Sequence, residues 1–576
     1  MLEKIISKLK FYLDSFLNLF KKVPKYVYFI LLISILLMLP ILTGRVAMGH
    51  DHYFHFSNLL AIISDINLFK LHIFAPKIFG GIANGFGYGT GIFYPPLAYF
   101  FAGHLGCFIE QFGFNSLYAV TICETIVLFL SGYFMYKLSL KLFKDEKIAL
   151  LSGISYICTP YFISDIYIRC SFAELFTFLF VPVVFLGLYY LYNKNYKNFL
   201  IYFVIGFVGM IYSHLVLSVY LTLFVLIVLI INYKQFLNAK TIKYLIISGI
   251  LILLITCPFY VLIFEHKLFG NYMVFENGVM ANLGGLERHS LSLADLFLVQ
   301  PLKVANGINV FLNLVVCFLF ILLIFNYKKV VKDNEKIIFK NALIFIIASL
   351  IIMVCENIWH FVPQTFWLIQ FPWRIELFLN FALCIIAGLS IRLFSGEVKK
   401  AFILLTSFGI VIFALVSIST DKIATPYRPY DNPDAALGWS YEYLPVKTYD
   451  NIDYYHNRDN DIHIMSGIAS TDIKTDYAPY LLADIDLKSD EAVLELPRLY
   501  YLGYKITLDD NESAKELKYF EDKKGFIEVK VKTSGTLTVK YTGGLVLLVT
   551  RIISFTTVII CFILLIISKK KEKRKV

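Results

Sequence analysis

The stretch IFYPPLAYFFAGHLGCFIEQFG, residues 92–113, decides how this chain lies in a membrane. It is long and apolar enough to cross a hydrocarbon core of ~30 Å, which takes about 20 residues of helix. Twelve other runs have a similar character: Tyr26–Thr43, Leu117–Leu138, Ile148–Ser164, Phe172–Tyr192, Phe199–Tyr212, Leu215–Ile231, Tyr244–Phe264, Ile308–Phe325, Ile338–Cys355, Arg374–Phe394, Ala401–Ser419 and Leu545–Ile567. With twelve spans and the lysine-rich N-terminus inside, KLFKDEK, NKNYKN, NYKQFLNAKTIK, NYKKVVKDNEK and RLFSGEVKK all fall on the cytoplasmic side, and so does the tail KKKEKRKV. A thirteenth span at 92–113 would put KLFKDEK outside and strand every later basic loop on the wrong face. The run is therefore placed outside, on or dipping into the membrane, within a long first external loop at 44–116. Irregular backbone at that depth needs cover from protein or water.

Composition agrees with a polytopic membrane protein. Of the 576 residues 58% are hydrophobic, 17% aromatic and only 16% charged, and the mean hydropathy is +0.69, outside the range of soluble domains. The net charge of +11 points away from nucleic acid, because the lysines cluster in short loops and at the two ends, as positive-inside topology requires. Nine cysteines lie in or beside apolar segments without CxxC spacing, so neither a disulfide framework nor a cysteine zinc site is expected. Heavy use of Ile, Lys, Asn, Phe and Tyr fits an AT-rich bacterial genome.

Four regions follow. Residues 1–25 begin with an amphipathic helix over 1–22 lying on the cytoplasmic face, with no cleavable signal. Residues 26–419 form the transmembrane domain, with external loops at 44–116 and 265–307. Residues 420–544 form an extracytoplasmic domain of ordinary size, whose later half, AVLELPRLYYLGYKIT and GFIEVKVKTSGTLTVKYTGG, alternates with period two and predicts an antiparallel sheet or sandwich. Residues 545–576 are the last span and a basic cytoplasmic tail.

The chemistry-bearing residues crowd the external ends of the spans. In GHDHYFH, a helix beginning at Asp51 puts His55 one turn on, with His52 and His55 at i, i+3. His50, Asp51, His52 and His55 could hold a divalent cation, Mg or Mn. They could equally set a carboxylate beside an imidazole for general-base work. The plainer alternative is an interfacial belt of amphipathic rings, against which stands Asp51, expensive at a membrane boundary unless partnered or solvated. In DIYIRCSFAELF, Arg169 and Glu174 form either a local ion pair or part of the same site. In WLIQFPWRIELF, Gln370, Trp373 and Arg374 mark an external helix mouth. There Arg374 either snorkels or grips phosphate with its planar fork. His214 lies at the turn between the fifth and sixth spans. The glycine- and tyrosine-rich KIFGGIANGFGYGTGIFYPPLAYF lacks a GxGxxG in a βαβ context, so no nucleotide site is read there.

Five stretches in order, GHDHYFH, GFGYGTGIFYPPLAYF, YIRCSFAELF, IQFPWRIELF and YEYLPVK, resemble the bacterial polytopic proteins labelled 6-pyruvoyl-tetrahydropterin-synthase-related, close to the YfhO type. The likeness runs from about residue 25 to the last span; nothing resembles the soluble pterin enzyme with its zinc-binding histidines. It implies a GT-C glycosyltransferase architecture, similar to protein mannosyltransferases, aminoarabinose transferases and oligosaccharyltransferase catalytic subunits. In that architecture an acid in the first external loop acts on sugars carried by polyprenyl phosphate. Asp51 and Glu174 take the catalytic positions by this resemblance. By the same resemblance Arg374 takes the donor phosphate, and Arg169, His55, His214, Gln370 and Trp373 are further candidates for substrate or phosphate binding. No Asp-x-Asp flanks Asp51, only histidines. The expected activity is extracytoplasmic transfer from a polyprenyl-phosphate-linked sugar to a cell-envelope polymer, such as teichoic acid, or to a glycolipid, in a bacterial cell membrane. The alternatives are a transporter or flippase of a lipid-linked glycan and a non-catalytic scaffold.

Overall fold

The computed structural model describes residues 24–42, 45–69, 76–276, 286–298, 308, 310–363, 370–418, 423–424, 433–438, 441–510 and 512–573. The amphipathic helix expected at 1–22 lies outside the described residues. Among the described residues nine helices are long and apolar enough to cross a membrane by length and composition, and the chain is a multi-pass membrane protein.

The order begins with α1 (Lys25–Leu42), a short strand β1 (Val46–Ala47), and α2 (His52–Phe69) packed against α3 (Leu97–Glu110). The bundle continues with α4 (Tyr118–Phe143), α5 (Glu146–Ile157), α6 (Pro160–Tyr167), α7 (Phe172–Tyr192), α8 (Tyr196–Ser213), α9 (Leu215–Ile231) and α10 (Ala239–Phe269). It closes with α11 (Leu314–Phe325), α12 (Lys336–Val354), α13 (Glu376–Ala387) and α14 (Gly396–Val416). In the run Pro372–Leu393 around α13 every residue from 372 to 391 is buried, which makes it the central element. Packing of α7 on α8 is close because glycine faces the partner: a Cβ at Gly187 would lie 2.8 Å from the Phe203 backbone nitrogen, the small-residue contact that membrane helices use.

Two expectations are modified, and a third, that 92–113 does not span, is met by a short helix. The run Ile148–Ser164 is not one helix: α5 stops at Ile157 and α6 starts at Pro160, since proline lacks a backbone donor and disfavours a helical residue before it. The run Ile308–Phe325 is helical only from Leu314, where the Asn313 side chain accepts from the amides of Val315 and Val316 and starts the helix. Within 92–113 the helix is α3, 14 residues long, or roughly 21 Å, too short to cross.

After α14 a short strand β2 (Ile423–Ala424) pairs antiparallel with β1. Nine strands follow between His463 and Tyr541: β3 (His463–Ser466), β4 (Ala469–Tyr477), β5 (Tyr480–Leu487), β6 (Ala492–Leu499), β7 (Tyr504–Asp509), β8 (Ala514–Leu517), β9 (Tyr519–Glu521), β10 (Phe526–Val531) and β11 (Gly535–Tyr541). They make two antiparallel sheets, ordered β3-β6-β10-β9 and β4-β5-β11-β7-β8. Alternation in β7 and β11, the period-two pattern that predicted strands, buries Ile506, Leu508, Leu537 and Val539, and β5 buries Leu481, Ala483 and Ile485 in the same way. The final helix α15 (Gly544–Lys573) packs on α10 and leaves Ile552, Phe555, Ile559 and Phe562 exposed, a face suited to hydrocarbon.

Candidate functional site

The chain that begins α2 lies against the chain that ends α6. His50 and Asp51 donate their backbone N–H groups to the carbonyls of Ile168 and Arg169 at 3.0 and 2.8 Å. Gly49 allows this approach: a Cβ there would sit 2.1 Å from the Ile168 carbonyl oxygen. The Gly49 amide meets Cys170 Sγ at 3.1 Å. Cys170 has φ +53°, the left-handed turn that separates α6 from α7. Asp51 and Arg169 thereby come together although 118 residues separate them.

Arg169 folds back over α6. Its Nη1 donates to Asp165 Oδ1 at 2.6 Å and to Glu174 Oε2 at 2.9 Å, and its Nη2 lies 3.6 Å from Asp51 Oδ2. Glu174, in the first turn of α7, where the helix dipole favours an anion, also accepts from Arg374 Nε at 3.0 Å. Its other oxygen accepts from the Tyr161 hydroxyl at 2.7 Å. Arg374 comes from the 3-10 turn Pro372–Ile375 that leads into α13, and its Nη1 donates to Gln370 Oε1. Gln370 has φ +65°. Trp373 lies buried beneath the cations, its ring 4.7 Å from the Arg169 guanidinium and 5.8 Å from that of Arg374, a cation–π arrangement rather than an anchor at the membrane surface.

Exposure sorts these groups. The side chains of Glu174, Arg169 and Arg374 are 0%, 3% and 7% exposed, whereas Asp51 is 30% exposed. Glu174 has both oxygens occupied and faces no solvent. It bridges the two guanidiniums, and Asp51 is the more exposed carboxylate of the group. His55 is buried with Nδ1 2.5 Å from the Tyr99 hydroxyl. Burial outweighs the opposing Asp51 charge and pushes its imidazole down to about 4, so it is neutral near pH 7. His214 caps the start of α9, its Nδ1 accepting from the Leu217 amide at 3.3 Å. Burial, then the Arg374 charge, pushes it down to about 3, and its Nε2 stands 3.7 Å from Glu174 Oε2, near but not hydrogen-bonded.

The four residues read as a possible cation set do not gather into one. Among the described residues no group of three or more His, Cys, Asp and Glu side chains is arranged to hold a metal ion. His52 turns its Nδ1 onto the Gly49 carbonyl and His55 turns toward Tyr99, so helix geometry splays them, and His50 pairs through its backbone with Ile168.

The structure thus brings Asp51, Arg169, Glu174, Gln370, Trp373, Arg374 and His214 to one place, with His55 beside them. Sequence reasoning missed Asp165 and Tyr161. The signal for Asp165 was available: an acid four residues before Arg169, on one helical face. Nothing local marks Tyr161. The YEYLPVK stretch belongs to the cover: the Tyr88 hydroxyl donates to the Leu437 carbonyl at 2.6 Å and accepts from the Tyr443 amide at 3.1 Å. Tyr443 stacks on Phe93 with centroids 5.5 Å apart.

No family model matches the chain. An uncharacterized protein of Lactococcus lactis subsp. cremoris (strain MG1363) is 26% identical over 207 residues, 35% of this chain and 32% of that protein, so the match spans about a third of the relative. Among solved structures, ArnT from Cupriavidus metallidurans bound to undecaprenyl phosphate is similar at 13% identity and TM-score 0.35, over 66% of this chain and 61% of that one. The apo form of the Archaeoglobus fulgidus oligosaccharyltransferase is similar at 12% identity and TM-score 0.42, over 76% of this chain and 58% of that one. The chain therefore spans less than two thirds of each of these proteins.

Proposed function

We propose that this protein is a GT-C-type glycosyltransferase acting on the extracytoplasmic side, taking a sugar from a polyprenyl-phosphate-linked donor and passing it to a cell-envelope polymer or glycolipid. The observation that carries the reading is Asp51, an accessible carboxylate 3.6 Å from Arg169, whose guanidinium is fixed by Asp165 and Glu174. An acceptor hydroxyl beside Asp51 attacks the anomeric carbon. The new glycosidic C–O bond forms as the bond to the donor phosphate breaks. The hydroxyl proton passes to Asp51, and the electron pair leaves with the phosphate as polyprenyl phosphate. Arg374 and Arg169 offset the charge that grows on the departing phosphate. Arg374 has donors to spend on it, since a guanidinium carries five N–H groups and Glu174 and Gln370 engage Nε and Nη1. Glu174 is a positioning residue, and no step needs a metal ion.

The basic loops support a cytoplasmic location for both termini, which sets Asp51 outside. The strand-rich region before α15 packs on the external loop at residues 80–89 and is suited to hold an acceptor chain. Asp51→Asn tests the reading: transfer of labelled sugar into envelope material should fall at least about a thousandfold, with unchanged insertion and thermal stability. Full transfer by that variant would overturn it.

A further inference from the structure

Between the ends of α4, α7, α9, α12 and α13 that point away from Asp51 lies a cavity of about 300 Å³, within the range of ligand pockets. Glu174 opens α7 and Tyr192 closes it, and Tyr192 lines the cavity. His214 caps the start of α9 and Asn232, also on the wall, caps its end. Each pair spans roughly 27 Å of helix at 1.5 Å per residue, close to the ~30 Å of a hydrocarbon core. The cavity therefore opens at the membrane face opposite the candidate active site and shares no residue with it.

Its floor is apolar. Phe185 packs edge-on to Phe345 at 5.5 Å and against Phe381 at 4.6 Å, with Leu188, Ala382 and Ile385 beside them. Its rim is polar and basic, with Lys141 and Lys144 at the end of α4, and Asn341, whose Oδ1 accepts from Asn232 at 3.1 Å. Lys144 occupies the left-handed position after the helix, with φ +53°, and both lysines are exposed. Among the described residues neither ammonium has an ion-pair partner, while acids of the neighbouring loops are engaged. Asp145 caps α5 and lies 3.9 Å from Lys399, Asp333 pairs with Lys336 at 2.6 Å, and Glu335 pairs with Arg392 at 2.6 Å.

We propose that this cavity binds an anionic phospholipid, with an acyl chain against Phe185, Phe345 and Phe381 and the headgroup phosphate between Lys141 and Lys144. A soluble anion has no use for the aromatic floor, and an uncharged lipid has none for two uncompensated ammonium groups. A basic pocket between membrane helices on the face that carries the positive loops is where anionic headgroups are held.

The test uses the full-length protein in neutral detergent, incubated with phosphatidylglycerol or phosphatidylcholine, with retained lipid counted by mass spectrometry of the intact complex. Phosphatidylglycerol should be retained in preference to phosphatidylcholine. The double variant Lys141→Gln, Lys144→Gln should lose that preference by roughly thirtyfold, the scale two lysines near a lipid surface supply. Because both side chains are exposed, that variant should keep its thermal stability. Ala382→Phe, which fills the floor, should lower retention with both lysines intact, and inorganic phosphate should not displace the lipid. Equal retention of the two lipids, an unchanged preference in the lysine variant, or displacement by inorganic phosphate would overturn the proposal.

Discussion

Replacing Glu174 with glutamine removes one charge and leaves shape almost unchanged, so it isolates the electrostatics of the buried network. Two guanidiniums depend on that carboxylate: Arg169 at 2.9 Å and Arg374 at 3.0 Å, with side-chain exposures of 3% and 7%. Arg169 keeps Asp165 at 2.6 Å and Asp51 at 3.6 Å. Among the described residues Arg374 keeps the neutral Gln370 carbonyl and the Trp373 ring, and no other ion pair. Breaking a buried pair by removing one partner costs about 3–5 kcal/mol, because a buried charge is left uncompensated. The Tyr161 hydroxyl can still donate to the glutamine carbonyl, so the loss is electrostatic. In a thermal unfolding assay in detergent, Glu174→Gln should lower Tm by on the order of 5 °C. The double variant Glu174→Gln, Arg374→Gln removes both charges and should recover about 1–3 kcal/mol relative to the sum of the singles. A single variant as stable as the parent, or strict additivity in the cycle, would refute the claim that Glu174 holds the guanidiniums in place.

Two further outcomes follow from the same geometry. Gly49→Ala drives a Cβ to 2.1 Å from the Ile168 carbonyl and should break the 50–51 pairing with 168–169; limited proteolysis before α2 should quicken and transfer activity should fall at least about tenfold, more than either effect of Gly49→Ala would show if the segments were independent. His55 stands at about 4 against an ordinary 6.5, so between those values the unfolded chain binds a proton that the native chain does not; the stability this contributes, about 3 kcal/mol at most, is present above pH 6.5, is lost as pH falls toward 4, and should be absent from the difference between parent and His55→Gln if the ring were exposed.

Hydropathy alone located most of the bundle. The runs Phe172–Tyr192 and Leu215–Ile231 coincide with α7 and α9, because an uninterrupted apolar stretch has no other way to satisfy its backbone in lipid. Prediction failed where a single residue overrides the pattern: Pro160 splits one run and Asn313 starts another late. Of the strands between Ala492 and Tyr541, β6, β7, β10 and β11 were legible from alternation. Those between His463 and Leu487 were not, since β4 carries exposed polar residues on much of its length. Within the site, charged residues at the ends of apolar runs marked Asp51, Arg169, Glu174 and Arg374 individually. Their convergence depends on pairings of segments more than a hundred residues apart, which no local pattern encodes. For the histidines after Gly49, spacing placed them close in sequence, while the turn at Gly49 and the Tyr99 hydroxyl decide where the rings point.

The most direct test of the central claim is bond cleavage in a defined system. Purified protein reconstituted in vesicles with a polyprenyl-phosphate-linked sugar and an acceptor glycan should release free polyprenyl phosphate in step with glycosylated product, and the Asp51→Asn protein should release none. Movement of the intact lipid-linked sugar across the vesicle membrane with no polyprenyl phosphate set free would contradict the account and favour a flippase.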